Sequence, residues 1–405
     1  MKKLLLILAM ILLLVFSALT VGAQEINILM EAVPDTTYVQ ELIPDFEEKT
    51  GIEVNVEVIN YAEMHEKLIP QLISQEGAYD VIVVDNYWVG EFTTADWIID
   101  LEPYIDKSDK INTDVYIDSM FNMVGQVNGT TYMLPFYNYA MALVYRTDIL
   151  DEMNLQIPTK LTDYVELCNS VTEQTEYYGV VMQGLRPDPI AMEWLNYLYS
   201  MGGDFYDEDG NIIINNDKAV KALELYVENI NNNAPDGATG FGFDQAFSVI
   251  ANGKAFSYIT YNWMLPKLNN EEESEVAGKV DIAQMPGGHS LNGGWGWAIP
   301  KSSPDKEAAW EFIEWVESFD VAKERALMGG SPTRNDVFND EEVLENYPHY
   351  TEVKTILQGA RPIPIMEDST ELIEVLGREL SLAANKDKTP QEALNTVAEH
   401  MKDLK

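Results

Sequence analysis

What most constrains this chain is the order in which its apolar pattern changes period between residues 26 and 85. Residues 26–30 form a short apolar run of strand type, and Tyr38, Val39, Leu42, Ile43 and Phe46 then recur at helical spacing before Gly51. Residues 52–59 read as strand again. Tyr61, Met64, His65, Leu68, Ile69 and Leu72 make a second helical stripe, and residues 79–84 form an apolar strand ending at Asp85. Alternation in this order predicts a mainly parallel sheet covered by helices. Ligands of such sheets bind beyond the carboxyl ends of the strands. That rule marks residues 31–35, 60–63 and 85–88, with Asp85 and Trp88 favoured for function and Glu63 and His65 read as a solvated helix face. Pro44 and Pro70 fall inside the two stripes, where proline costs about 3 kcal/mol, so kinks or displaced helix starts are expected.

With 405 residues the chain is too long for one ordinary core and suits two or three domains. Its start has the pattern of a secretory signal: Lys2 and Lys3, an apolar run over 4–16, then Val21-Gly22-Ala23. Residues 1–23 are therefore expected to be a signal peptide. No cysteine follows the cut to carry a lipid, and a soluble periplasmic protein is expected. The formal charge of −41 repels phosphate backbones and anionic membranes, which excludes nucleic acid as a partner. The single cysteine, Cys168, cannot form an internal disulfide and reads as a small buried apolar residue.

Further along, residues 129–135 read as turn and strand, followed by Phe136-Tyr137-Asn138-Tyr139. Helices are expected over 161–171 and 189–201, and Asn216 is placed to cap a helix over 217–230. The acidic run around Asp209-Gly210 fails the calcium-loop template, with Phe205 at the first ligand position, and reads as a hairpin turn. Residues 256–259 form a strand that delivers Tyr261, Asn262 and Trp263 at its end. The stretch Gly293-Gly294-Trp295-Gly296-Trp297 combines backbone freedom with indole faces. After it, Ser303-Pro304 reads as a helix cap and first helical residue. Thr389-Pro390-Gln391-Glu392 has the pattern of a capping box.

Catalytic signatures are missing. There is no nucleophile elbow, no phosphate-cradling loop, and His65, His289, His349 and His400 lack ligand spacing. No metal or cofactor is expected.

These segments together, in order and spacing, resemble the extracellular solute-binding proteins of ABC sugar-uptake systems, of maltose-binding type, across essentially the whole chain after residue 23. The matching stretches include ELIPDFEEKTGIEV, YDVIVVD, YMLPFYNYAMALVYRTDIL, NYLYSMGGDF, GGWGWAIPKSSPDKEAAWEFIEWV and GGSPTRNDVF. The resemblance implies a two-lobed α/β fold, each lobe a mainly parallel sheet flanked by helices, joined by crossover hinge segments. It implies one lobe from 24–137 with 290–330 and a second from 138–289 with 331–405. Its function would be capture of a mono- or oligosaccharide, or a polyol, between closing lobes, for delivery to membrane permease subunits by a monomer. Carried over position by position, it implies ligand contacts at Asp35 and Asp85, at Tyr137 and Tyr139 of the first crossover, at Trp263, and at Gly294, Trp295 and Arg334; Trp88 is a candidate from its strand-end position. Arg186 is a further candidate. Relatives often carry aspartate where this chain has Tyr139, so its hydroxyl pattern is expected to differ. Trp297 is assigned to the core. The rival readings are a secreted carbohydrate-active enzyme and an adhesive surface protein.

Overall fold

The structure, a computed structural model, describes residues 24–404; the expected signal peptide lies outside the described residues. β1 (Gln24–Glu31), α1 (Pro34–Thr50), β2 (Ile52–Ile59), α2 (Tyr61–Ser74) and β3 (Val81–Asp85) follow the alternation read from the sequence. Helices α1 and α2 each run through their proline as one element, so the starts are not displaced. Pro44 and Pro70 are exposed, and so are Gln40 and Glu66 one turn before them, so water can take the carbonyls that proline leaves unpaired. The buried stripe of Val39, Ile43 and Phe46 then holds α1 against the sheet.

The chain continues through β4 (Leu134–Asn138), β5 (Met141–Arg146), α3 (Leu161–Gln174), α4 (Asp188–Ser200) and α5 (Asp217–Asn232). Next come β6 (Ser257–Tyr261), β7 (Val280–Ala283), β8 (Gly294–Ala298), α6 (Lys306–Val316) and α7 (Phe319–Leu327). α8 (Ser369–Ala384) and α9 (Pro390–His400) close it.

Two sheets organise these elements. The first has order β2-β1-β3-β8-β4, with β1 parallel to β2 and β3 but β8 antiparallel to β3 and β4. The second has β5 at its centre, antiparallel to both β6 and β7. The expectation of a mainly parallel sheet in each lobe is thus corrected: it holds for β1 to β3 only. Parallel pairing needs a long crossover on one face of a sheet, whereas β8 enters the first sheet from the second lobe and runs against its neighbours. Helices α1 and α6 pack at the first sheet, while α8 and α9 pack on α4 and α5 of the second lobe. The short helices Asn335–Phe338 and Glu341–Asn346 pack against α7, on the first lobe's side.

Between the sheets the chain crosses in adjacent strands. The Tyr139 amide donates to the Gly293 carbonyl and the Met141 amide to the Leu291 carbonyl, both at 3.0 Å. The Asn138 side-chain amide donates to the Pro332 carbonyl at 2.6 Å, tying a third passage to the first.

Local expectations fare unevenly. Asn216 caps α5 through the amides of Lys218 and Ala219, and Thr389 with Glu392 forms the capping box of α9. Helix α6 instead starts two residues later than expected, capped by Asp305, because Ser303 donates its hydroxyl to the buried Asp80. Cys168 is buried, and burial pushes its thiol up to about 12. Trp297 belongs to the core, its ring 4.2 Å from Phe136 and its indole N–H donating to Glu317 Oε1 at 2.9 Å.

Candidate functional site

The carboxyl ends of β1, β3 and β6 converge beside the crossovers. In the register of the first sheet, Asp85 at the end of β3 stands opposite Trp295 of β8, which stands opposite Tyr137 of β4. The Tyr137 hydroxyl donates to Glu31 at the end of β1. The Tyr139 hydroxyl lies 2.9 Å from Asp85 Oδ1 and 2.8 Å from Asn86 Oδ1. Asn86 Oδ1 also accepts the Gly294 amide at 3.1 Å. From the second lobe, the Tyr261 ring meets Tyr139 edge-on at 5.9 Å, and Trp263 stacks on Tyr261 at 5.7 Å with 3° between planes. Carboxylates and amides that can grip hydroxyls therefore lie next to aromatic faces that can cover C–H surfaces, which is the chemistry a polyhydroxylated ligand needs.

This region is closed. Asp85, Trp88 and Trp295 are 3 %, 2 % and 2 % exposed. A side chain on Gly90 of the first lobe would collide with the Met366 backbone just before α8. Burial raises Glu31 to about 7, with Asp35 adding to the rise and the Tyr137 hydrogen bond opposing it. Burial also raises Asp35 to about 6, opposed by the Ser331 amide and Arg325. Asp188, at the start of α4, is raised to about 6 by burial and by Glu374. Asp85 is lifted well above the carboxylate range by burial, with Glu31 and Asp188 reinforcing the shift and Tyr139 opposing it.

A pH dependence follows. Carboxyls titrate near 4 in the unfolded chain and higher in the fold, so between these values the native state holds more protons and stability falls as pH rises. His349, lowered to about 4 by burial, opposes this only below about pH 6.5, where the unfolded imidazole takes up its proton. The unfolding midpoint of the unliganded protein is therefore expected to drop between pH 6.5 and 8. A midpoint that stays level or rises over that range would refute this account.

The structure brings Asp85, Trp88, Tyr137, Tyr139, Gly294 and Trp295 together, with Trp263 across the cleft. It sets others apart. The Arg334 guanidinium is committed to scaffold, bonding both oxygens of Asp336 at 3.0 and 2.7 Å and the Glu317 carbonyl. Asp35 lies under the third passage, accepting the Ser331 amide at 3.0 Å. Arg186 is exposed, just before α4. Trp88 lies nearly parallel to Tyr61 at 5.8 Å and Phe92 at 6.4 Å, with Trp295 edge-on at 5.3 Å. The close approach that Gly293 and Gly294 permit is to protein: a Cβ would meet the Tyr139 hydroxyl at 2.0 Å and the Tyr137 carbonyl at 2.7 Å respectively. Glu63 is exposed as expected, and His65 is partly exposed while bonding Glu91 at 2.8 Å, its ring 5.0 Å from Trp88. Asp188 escaped the sequence reading because it opens a helix rather than ending a strand. Glu31, Tyr61, Asn86, Tyr87 and Tyr261 lie within the strand-end segments, and that position is the signal that finds them.

Two lobes, crossovers and a cleft rich in acceptors define a solute-binding protein. Residues 32–323 match the bacterial extracellular solute-binding protein family, and the chain belongs to it. It is 24% identical over 367 residues to a probable amino-acid ABC transporter periplasmic-binding protein of Sinorhizobium fredii, covering 87% of this chain and 83% of that one. Among solved structures, a solute-binding protein of Agrobacterium radiobacter K84 in complex with ribitol is 25% identical, with TM-score 0.85 over 94% of this chain and 98% of that one. Maltose-bound MalE3 of T. maritima is 28% identical, with TM-score 0.84 over 94% and 99% of the two chains.

Proposed function

We propose that this chain is the carbohydrate receptor of an ABC uptake system, capturing a sugar or polyol between its lobes and presenting it to membrane permease subunits. The observation that carries this reading is the cleft itself, where Glu31, Asp85 and Asn86 of one lobe and Tyr261 and Trp263 of the other converge at the crossovers. A ligand touching both lobes favours the closed arrangement because it gains contacts that the open one lacks. Similarity to proteins solved with ribitol and with maltose supports a neutral polyhydroxylated ligand. The relative named for amino acids fits this cleft less well. An α-carboxylate needs a cation, and the charged groups that act on Glu31 and Asp85 are themselves carboxylates. We place the receptor in the periplasm as a monomer, with one lobe from 24–137 and 290–330, which the short helices within 335–346 join by packing on α7, and the other from 138–289 and the remainder of 331–405.

Thermal unfolding against a panel of mono- and disaccharides and polyols tests this. The cognate ligand should raise the midpoint by mass action and be recovered chemically intact. A sugar consumed by the protein alone would establish the enzyme reading instead. No response across the panel would leave the adhesive reading.

A further inference from the structure

Glycine occupies one helical position of the first lobe where the backbone does not call for it. Gly90 lies in the short helix Val89–Thr94, two residues after Trp88, and its conformation is right-handed helical. In such a conformation alanine favours the helix and glycine weakens it. What needs the missing side chain is the other lobe. A Cβ on Gly90 would stand 2.4 Å from the carbonyl oxygen of Met366, 2.7 Å from its carbonyl carbon and 3.0 Å from its nitrogen.

Met366 is carried by the second lobe. Residues 361–368 form a strap whose base is bonded to the second crossover. There the Arg361 amide donates to the Ser290 carbonyl and the Asn292 amide to the Arg361 carbonyl, both at 2.8 Å. The Tyr199 hydroxyl of α4 donates to the Pro362 carbonyl at 2.6 Å. Buried Ser369, the first residue of α8, fixes the far end: its hydroxyl donates to the Met366 carbonyl at 2.7 Å and accepts the Met366 amide at 3.2 Å. Pro362 and Pro364 restrict the backbone between these anchors. The strap therefore travels with the second lobe, and it meets the first lobe backbone to backbone at Gly90. Packing attraction of this kind is short-ranged, and a gap of about 1 Å already forfeits up to half of it. The contact belongs to the fully closed arrangement, and one methyl group at Gly90 would stop the lobes short of it.

Resting on the receptor reading above, we infer that Gly90 is the seat on which the strap closes. It is a positioning residue for capture: by lacking a side chain it sets how far the lobes close. Full closure brings Tyr261 and Trp263 of the second lobe up to Asp85 and Asn86 of the first, which lie just ahead of Gly90 in the chain.

The test compares the parent with Gly90→Ala by titration calorimetry and small-angle X-ray scattering, with ribitol, D-mannitol, D-glucose and maltose as probes. Gly240→Ala is the control, at an exposed glycine with nothing within 4 Å of its Cβ position. For a probe that binds the parent, Gly90→Ala should raise Kd tenfold or more and lose most of the contraction that accompanies binding. Gly240→Ala should behave as the parent. The empty Gly90→Ala should unfold no more easily than the empty parent, because alanine favours the helix and the lobes are free to part. Binding within threefold of the parent, with full contraction, would overturn the proposal and leave the receptor reading standing. So would an empty Gly90→Ala that unfolds well below the parent, since the contact would then be permanent scaffold. A parent that binds none of the four probes would count against the receptor reading and so against both.

Discussion

Trp295→Ala is expected to lower the free energy of unfolding by roughly 3–5 kcal/mol, the usual cost of truncating a buried aromatic. Trp295 is 2 % exposed and lies nearly parallel to Tyr137 at 6.2 Å, with Trp88 and Tyr61 edge-on at 5.3 and 6.0 Å. Removing the indole leaves three rings facing a cavity, one of which, Tyr137, holds Glu31 by its hydroxyl. Denaturant unfolding measures the loss. Trp295→Phe should recover more than half of it, because a ring still fills most of the space. Were Trp295 instead a free stacking surface for the ligand, a platform, alanine would weaken binding and leave the fold alone. If Trp295→Ala keeps its stability within about 1 kcal/mol and still loses its ligand, the platform role is restored; that loss is below the usual range for buried aromatics. The partly exposed Trp263, already stacked on Tyr261, is the better platform in the closed arrangement.

How far the sequence could be read depended on whether the deciding interaction was local. The strand–helix alternation to Asp85, the Asn216 cap and the Thr389 capping box depend on neighbours within a few residues, and all are present. The antiparallel entry of β8 could not be read, because it is decided by partners some 160 and 210 residues away along the chain. Arg334 shows the same limit. Nothing in its sequence surroundings tells that the carbonyl of Glu317, at the end of α6 and beyond α7, will take its guanidinium, nor that the Glu317 side chain also receives Trp297 and Arg325. The strand-end rule found the site as a region, since it states where a sheet opens and asks nothing of side-chain orientation. It could not separate Asp85, which faces Tyr139, from Trp88, which is ringed by other aromatics.

Asp85→Asn should move stability and ligand binding in opposite directions. Burial, together with Glu31 and Asp188, makes ionisation of Asp85 unfavourable in the fold. An amide of the same shape carries no such penalty, and its oxygen can still accept the Tyr139 proton. The unliganded variant should therefore unfold at a higher temperature than the parent, and the gain should grow with pH. The sign follows from linkage: a carboxyl raised in the fold disfavours folding more as pH climbs towards its folded value. Binding should weaken, because charge-assisted hydrogen bonds from ligand hydroxyl groups to a carboxylate contribute about 1.5–3 kcal/mol, roughly 10–100-fold in Kd. Calorimetry with whichever compound most raises the parent's midpoint measures the loss. A variant that is stabilised but binds unchanged would show Asp85 to be a strained part of the scaffold. One that is destabilised would show that its carboxylate is already satisfied without ligand. Only the opposed pair of effects is consistent with a carboxylate kept buried at a cost to the empty protein because the ligand requires it.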